Sequence, residues 1–388
     1  MITFFDNFNL SFVLITLSSF LVALVVVLTK DSHLHCTAKG HAGLEVQSMH
    51  KAPTPRIGGV AFVTGTLIAL LLLTGEAFSL LALMLVAGLP VFVVGLCEDI
   101  GIGARPYKRL LAAMISSLIM VLVTGATIDR GVAPYIDQAL AVTLIGAVFT
   151  IIVATSISHA FNLIDGLNGL AMSVAVISLV SLSFIALRFD DHAVALLATV
   201  IALSILGVFF VNFPFGKIFL GDAGAYLIGF MVAWVAILLM ERNPDISRWS
   251  MLLVIFWPFV DTTFAVLRRV LKGVSIAAPD KLHFHHLVLR TILRHGKAKS
   301  RSAANPVASS LVMPLAVIPA ILAVVASDSR GLSILFLGLC TVGYLVARLG
   351  LVAAFRQTPQ EAYRSSVAAI EKIQPATPSN RLDEAVLD

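Results

Sequence analysis

Charge is what this sequence has least of. Only 13% of its 388 residues are Asp, Glu, Lys or Arg, while 59% are hydrophobic. Soluble domains carry roughly 25% charged and roughly 45–50% apolar residues. One water-soluble core cannot absorb that excess, so the chain reads as a polytopic membrane protein, in line with a mean hydropathy of +0.97. Cysteine is almost missing. Cys36, Cys97 and Cys340 are odd in number, far apart and without CxxC spacing, which excludes a disulfide framework and a zinc ribbon. No HExxH occurs, which argues against a zinc protease, and no internal repeat of 20–50 residues is visible. Paired, interrupted spans in corresponding halves, the mark of an inverted-repeat transporter, are lacking too. The net charge of +5 does not imply nucleic acid, because basic residues in such a chain mostly record topology.

What remains is long apolar runs. A span needs about 20 apolar residues. The candidates are 10–29, 58–74, 79–96, 110–126, 139–158, 168–187, 194–211, 219–240, 250–267, 309–327 and 332–350. The expected fold is therefore an all-α transmembrane helical bundle of about eleven spans, or ten if one of the weaker two, 58–74 and 139–158, fails. The run 10–29 is too long for a signal-peptide core and has no small-residue cleavage pattern, so it reads as retained. With the N-terminus outside, every basic residue except Arg130, Arg188, Arg242, Arg248 and Arg330 falls inside. That distribution obeys the positive-inside rule and puts the N-terminus in the periplasm and the C-terminus in the cytoplasm. Residues 1–356 form the membrane domain; 357–388 form a cytoplasmic tail, expected as a short surface helix followed by disorder.

Five polar islands interrupt the hydrocarbon: PRIGG at 55–59, CED at 97–99, NLIDGLNGL at 162–170, FGKIFLGDAG at 215–224 and PDKLHFHH at 279–286. The threading places all five on one side. Ionisable groups between apolar spans are costly and mark function by default. Asp222 lies between glycines at the start of a span, where free N–H groups would face phosphate and a carboxylate would suit Mg²⁺. The bland reading is a helix cap with glycine packing. Glu98 and Asp99, adjacent on a helix, point different ways; one would meet Asp222 and the other Lys108 or Arg109. Asn162, Asp165 and Asn168 offer amide and carboxylate edges to a heterocycle, or simply a turn. His283, His285 and His286 suit phosphate contact better than zinc, since no cysteine is near. Lys51 precedes a stiff Pro/Gly segment that would hold an anion or merely turn the chain. Jointly these groups fit phosphoryl transfer at a membrane surface, with a lipid as one substrate.

In order, spacing and wording the islands resemble the polyprenyl-phosphate N-acetylhexosamine-1-phosphate transferases, the superfamily of phospho-MurNAc-pentapeptide translocase, over about residues 45–350; NLIDGLNGL, FLGDAG and HFHH carry the likeness. The resemblance implies transfer of an N-acetylhexosamine-1-phosphate from a UDP-sugar to undecaprenyl phosphate, releasing UMP. It implies Mg²⁺, with Mn²⁺ as a substitute, and a bacterial inner-membrane location with a cytoplasmic site; a homodimer is left open. By position, Asp222 resembles the metal ligand, and Asp99 the acidic residue acting on the lipid phosphate; Glu98 and His285 complete the catalytic candidates. Asn162, Asp165, Asn212 and Phe219 resemble the uridine contacts. His283, His285, His286 and Lys108 resemble diphosphate and sugar contacts, and Lys51 a lysine near the nucleotide. The departure is Glu98, where the family has aspartate; it resembles an O-antigen- or capsule-initiating subgroup and shifts the essential charge to Asp99 and Asp222. Synthesis of peptidoglycan lipid I by the same chemistry is the nearer rival, and a membrane transporter the more distant one.

Overall fold

The computed structural model describes residues 9–37, 54–131, 133–275, 282–296, 298 and 300–357, and those residues form helices and their connecting loops with no strand among them. The helices are α1 (Asn9–Leu28), α2 (Lys30–Thr37), α3 (Gly58–Leu72), α4 (Gly75–Asp99), α5 (Pro106–Thr124), α6 (Pro134–Leu140), α7 (Thr143–Ile164) and α8 (Leu170–Arg188). They continue as α9 (His192–Asn212), α10 (Gly221–Arg242), α11 (Arg248–Val254), α12 (Phe256–Leu271), α13 (Phe284–Arg294), α14 (Arg301–Val312), α15 (Val317–Val325) and α16 (Arg330–Gln357). Among the described residues nine stretches are long and apolar enough to cross a membrane, and α11 with α12 makes a tenth, bent by 87°. The eleventh expected span, α3, is apolar but has only 15 residues. Lys51 and the tail beyond 357 lie outside the described residues.

α10 is the axis of the bundle: every residue from Gly221 to Met240 is buried. It packs against α3, α4, α7, α8 and α9. Small residues allow that approach, as they do between membrane helices generally. A Cβ on Gly95 of α4 would lie 2.6 Å from the backbone of Ala223, so only glycine lets α4 come close enough to deliver Asp99 to α10. The outer helices turn large apolar side chains outward, including Leu71, Leu122, Leu144 and Leu349, as a hydrocarbon surrounding allows.

Two details differ from the sequence expectations. The span drawn through 250–267 is broken at Ile255, because Pro258 lacks an N–H and its ring crowds the carbonyl four residues back. The span drawn at 139–158 runs on to Ile164, because Ser156 and Ser158 do not end it. Their hydroxyls donate to Ile152 O at 2.7 Å and, across the interface, to Tyr226 O at 2.7 Å. Pro90 sits inside α4 without ending it; the neighbouring Val91 N–H donates to Ser116 Oγ of α5 at 3.2 Å.

The alternation of helices sorts the polar loops onto two ends. At one end Arg242 holds Asp191 at 2.6 Å and Glu76 at 3.1 Å, Arg188 donates to Val324 O at 2.9 Å, and Ser247 N–H donates to Ser327 O at 2.8 Å. The described parts of the five islands lie at the other.

Candidate active site

The second end is built around the start of α10. The chain enters α10 through Gly221 at φ +77°, the left-handed region that favours glycine; a Cβ there would also run into Arg56 O and Asp99 Oδ2. The segment before α3 clasps this entry through backbone bonds. Phe219 N–H donates to Pro55 O at 2.8 Å, Gly58 N–H to Phe219 O at 2.9 Å and Gly59 N–H to Leu220 O at 2.8 Å. Thus the islands at 55–59 and 215–224 form one unit.

Asp99, fully buried, closes the end of α10. Its Oδ1 accepts from Asp222 N–H at 2.8 Å and its Oδ2 from Ala223 N–H at 2.9 Å. The expectation that this helix start offers free N–H groups to phosphate is therefore corrected: Asp99 takes those donors, the arrangement of a cap supplied by another helix. Glu98 turns the other way, and its Oε2 accepts from Ala104 N–H at 2.5 Å. Arg109 does not pair with Glu98. It binds Asp222 Oδ2 through its Nη1, while Arg56 reaches Asp222 Oδ1 at 3.4 Å and Asn162 Nδ2 donates to the same oxygen at 3.3 Å. Asp222 is thus a nearly buried carboxylate whose own N–H is fixed from behind and whose oxygens face two guanidiniums and an amide.

Asn212 and Asn168 sit beneath this cluster. Asn212, buried at the end of α9, accepts from Gly169 N–H with its Oδ1 and donates to Ile218 O, which ties the 162–170 loop to the loop that enters α10. Asn168 donates to Pro214 O at 2.9 Å, and its N–H donates to Asn305 Oδ1 of α14 at 2.8 Å. On the far side of the 162–170 loop stand the histidines. A Cβ on Gly166 would lie 2.5 Å from His285 Nε2 and 3.4 Å from His286 Cε1. The rings of His285 and His286 are 4.2 Å apart, and His283 is 5.7 Å from His285.

Two ionisable groups here are displaced from ordinary behaviour. Burial, assisted by the neighbouring Asp222 carboxylate and opposed by Arg56, raises Asp165 from 3.8 to about 7. Burial and the adjacent His286 and His283 push His285 well below the usual histidine range, against Asp261, so it is a neutral imidazole. Among the described residues neither ring nitrogen of His285 has a hydrogen-bond partner. A buried polar group without a partner is costly, and a ligand's oxygens or hydroxyls would satisfy it.

The family model described as glycosyl transferase family 4 matches residues 81–240. That stretch runs from α4 through α10 and holds Asp99, Asn162 and Asp222. Over that stretch the chain is similar to glycosyl transferase family 4. Its curated relatives include the probable undecaprenyl-phosphate N-acetylglucosaminyl 1-phosphate transferase of Bacillus subtilis, 29% identical over 64% of this chain and 69% of that one. The decaprenyl-phosphate N-acetylglucosaminephosphotransferase of Mycobacterium leprae is 29% identical over 63% of this chain and 68% of its own. The undecaprenyl-phosphate alpha-N-acetylglucosaminyl 1-phosphate transferase of Yersinia pestis is 27% identical over 62% and 67%.

Of the candidate site residues, the structure gathers Asp99, Asp222, Asn162, Asp165, Phe219, His283, His285 and His286 at one end. Asn212 lies there as well, but buried, with both ends of its amide engaged by backbone. Glu98 belongs to the 98–104 loop, and Lys108 is exposed on α5. Lys51 lies outside the described residues. Sequence reasoning missed Arg56 and Arg109 as partners of Asp222, and Asp261 of α12 as the partner of His283. Arg56 stood inside the PRIGG island, and Arg109 one residue beyond the chosen Lys108. Asp261 had one signal: it is a carboxylate inside an apolar run.

Proposed function

We propose that this protein transfers an N-acetylhexosamine-1-phosphate from a UDP-sugar to undecaprenyl phosphate, releasing UMP. The observation that carries the reading is the Asp222 carboxylate, set between Arg56, Arg109 and Asn162, at the same end of the bundle as His285, whose two ring nitrogens have no partner among the described residues. The names of the relatives supply the substrate class.

Mg²⁺ suits this donor set. It takes one or two hard carboxylate oxygens and leaves its other positions to phosphate and water. Asp222 would hold it, and the ion would neutralise charge on the diphosphate during transfer. Arg56 and Arg109, now paired with Asp222, then face the phosphate oxygens. Asn162 and Asp165 flank the nucleoside, and the aromatic ring of Phe219 offers a stacking surface. His285 and His286 contact the sugar-phosphate side.

The lipid phosphate attacks directly. Its oxygen forms a bond to the sugar-bearing phosphorus while that phosphorus releases the oxygen of UMP. A phosphate monoester has a second pKa near 6, so little proton removal is needed at neutral pH. Asp99 acts by holding the Asp222 backbone; with no exposed surface and both oxygens bonded, it is not presented as a nucleophile. The reaction takes place at the cytoplasmic face of a bacterial inner membrane and opens synthesis of an O-antigen- or capsule-type polysaccharide. Glu98 and the lack of a peptide-recognition feature favour that pathway over peptidoglycan.

The test is exchange of radiolabelled UMP into a panel of UDP-sugars by washed membranes, beginning with UDP-N-acetylglucosamine. Mg²⁺-dependent, undecaprenyl-phosphate-dependent exchange with an N-acetylhexosamine nucleotide is expected. Absence of exchange with all of them, in membranes where the protein is present and folded, refutes the assignment.

A further inference from the structure

His283 stands at the N-cap position of α13, yet its own side chain makes no cap. Asp261, buried on α12 and 22 residues earlier, does three things at once. Its Oδ2 lies 2.7 Å from His283 Nδ1, its Oδ1 accepts from Phe284 N–H at 2.9 Å, and the same oxygen accepts from Tyr344 Oη at 2.7 Å. The last long helix, α16, braces this group: Arg348 donates to Leu282 O at 2.8 Å and reaches Tyr344 Oη at 3.5 Å. The surroundings are aromatic, with the Tyr344 ring 5.9 Å from Trp257, 5.5 Å from Phe264 and 5.4 Å from Phe284.

A carboxylate only accepts hydrogen bonds, so a ring nitrogen 2.7 Å away must carry the proton. The carboxylate therefore fixes both the tautomer and the ring plane of His283. The Nδ1 proton points inward, which leaves Nε2 as the nitrogen directed away from the carboxylate. Because Asp261 also caps α13, the same group sets the start of the helix that carries His285 and His286. Fixed orientation of a histidine by a second carboxylate is a general device for setting its basicity and aim.

We propose that Asp261 is a positioning residue for the transfer reaction, acting through His283, with Tyr344 holding the carboxylate from the last helix. This rests on the reading of His283 as a diphosphate contact. The role explains why an apolar span keeps a buried carboxylate: all its partners belong to the histidine segment or brace it.

Two measurements decide it. In purified protein labelled with ¹⁵N-histidine, the resonance lost in His283→Gln should report a proton on Nδ1; a bare Nδ1 overturns the proposal. In turnover, Asp261→Asn should lose about a hundredfold, the upper range for a residue behind a working histidine. Tyr344→Phe should lose less. The double variant Asp261→Asn/His283→Gln should lose clearly less than the two single losses combined, because the first change acts mainly through the second. Independent, additive losses overturn the proposal. Should wild-type protein turn over no UDP-sugar, the transferase reading fails, while the labelled histidine still decides whether Asp261 holds His283.

Discussion

The Asp99 carboxylate accepts the backbone N–H of Asp222, 123 residues later, at 2.8 Å, and that of Ala223 at 2.9 Å. One acid is thereby spent on placing another. Asp222 gains a fixed backbone and keeps both side-chain oxygens for charged partners, so the two aspartates are unequal although both lie at the same end of the bundle.

Asp222→Asn should abolish Mg²⁺-dependent UMP exchange and leave the protein folded. An amide keeps the shape but loses the charge that draws a divalent ion and balances Arg56 and Arg109. Near-normal exchange in this variant, titrated with Mg²⁺, contradicts the metal assignment.

Asp99→Asn turns one acceptor into a donor facing an N–H group. It should cost about 1–2 kcal/mol, the range for losing a helix cap, and turnover should fall because the Asp222 backbone shifts. Glu98→Asp shortens only the link to Ala104 N–H and should cost about 1 kcal/mol of hydrogen bonding at most. Thermal unfolding and exchange assays on both would show the ranking; a dead Glu98→Asp with an active Asp99→Asn reverses it.

Arg109 touches Asp222 and Lys108 is exposed on the same turn. Arg109→Ala should cut turnover by about a hundredfold, on the scale of removing one preorganised charged donor. Lys108→Ala should stay within about threefold, as exposed substitutions do. Equal losses would mean that contact with Asp222 does not decide what these two cations contribute.

Desolvation in the folded protein pushes the Asp165 carboxyl up from 3.8 to about 7. A carboxyl raised on folding contributes stability that is whole below the unfolded value and is lost as pH rises through the folded one. The melting temperature of the wild type should therefore fall relative to Asp165→Asn between about pH 4 and about pH 7, then run parallel above it. A gap that stays constant across that window would show that the Asp165 carboxyl is not the cause.

The all-helical membrane fold was legible because it depends on composition and run length, and a bilayer reads both residue by residue. The grouping of the described parts of the five islands at one end was legible too, since alternating spans and the placement of Lys and Arg force it. What the sequence could not give is which polar group faces which. Whether Asp99 binds substrate or caps α10 depends on how close α4 comes, and that is set by Gly95 against the Ala223 backbone. The choice of Arg109 over Lys108 is a matter of helix rotation, about 100° per residue. Asp261 finds His283 only because Pro258 breaks the span and swings α12 by 87°. Chain-local chemistry specified the parts and the side of the membrane domain on which they lie. Pairing between them came from packing between helices distant in sequence, because a hydrogen bond is satisfied or lost over a few tenths of an ångström.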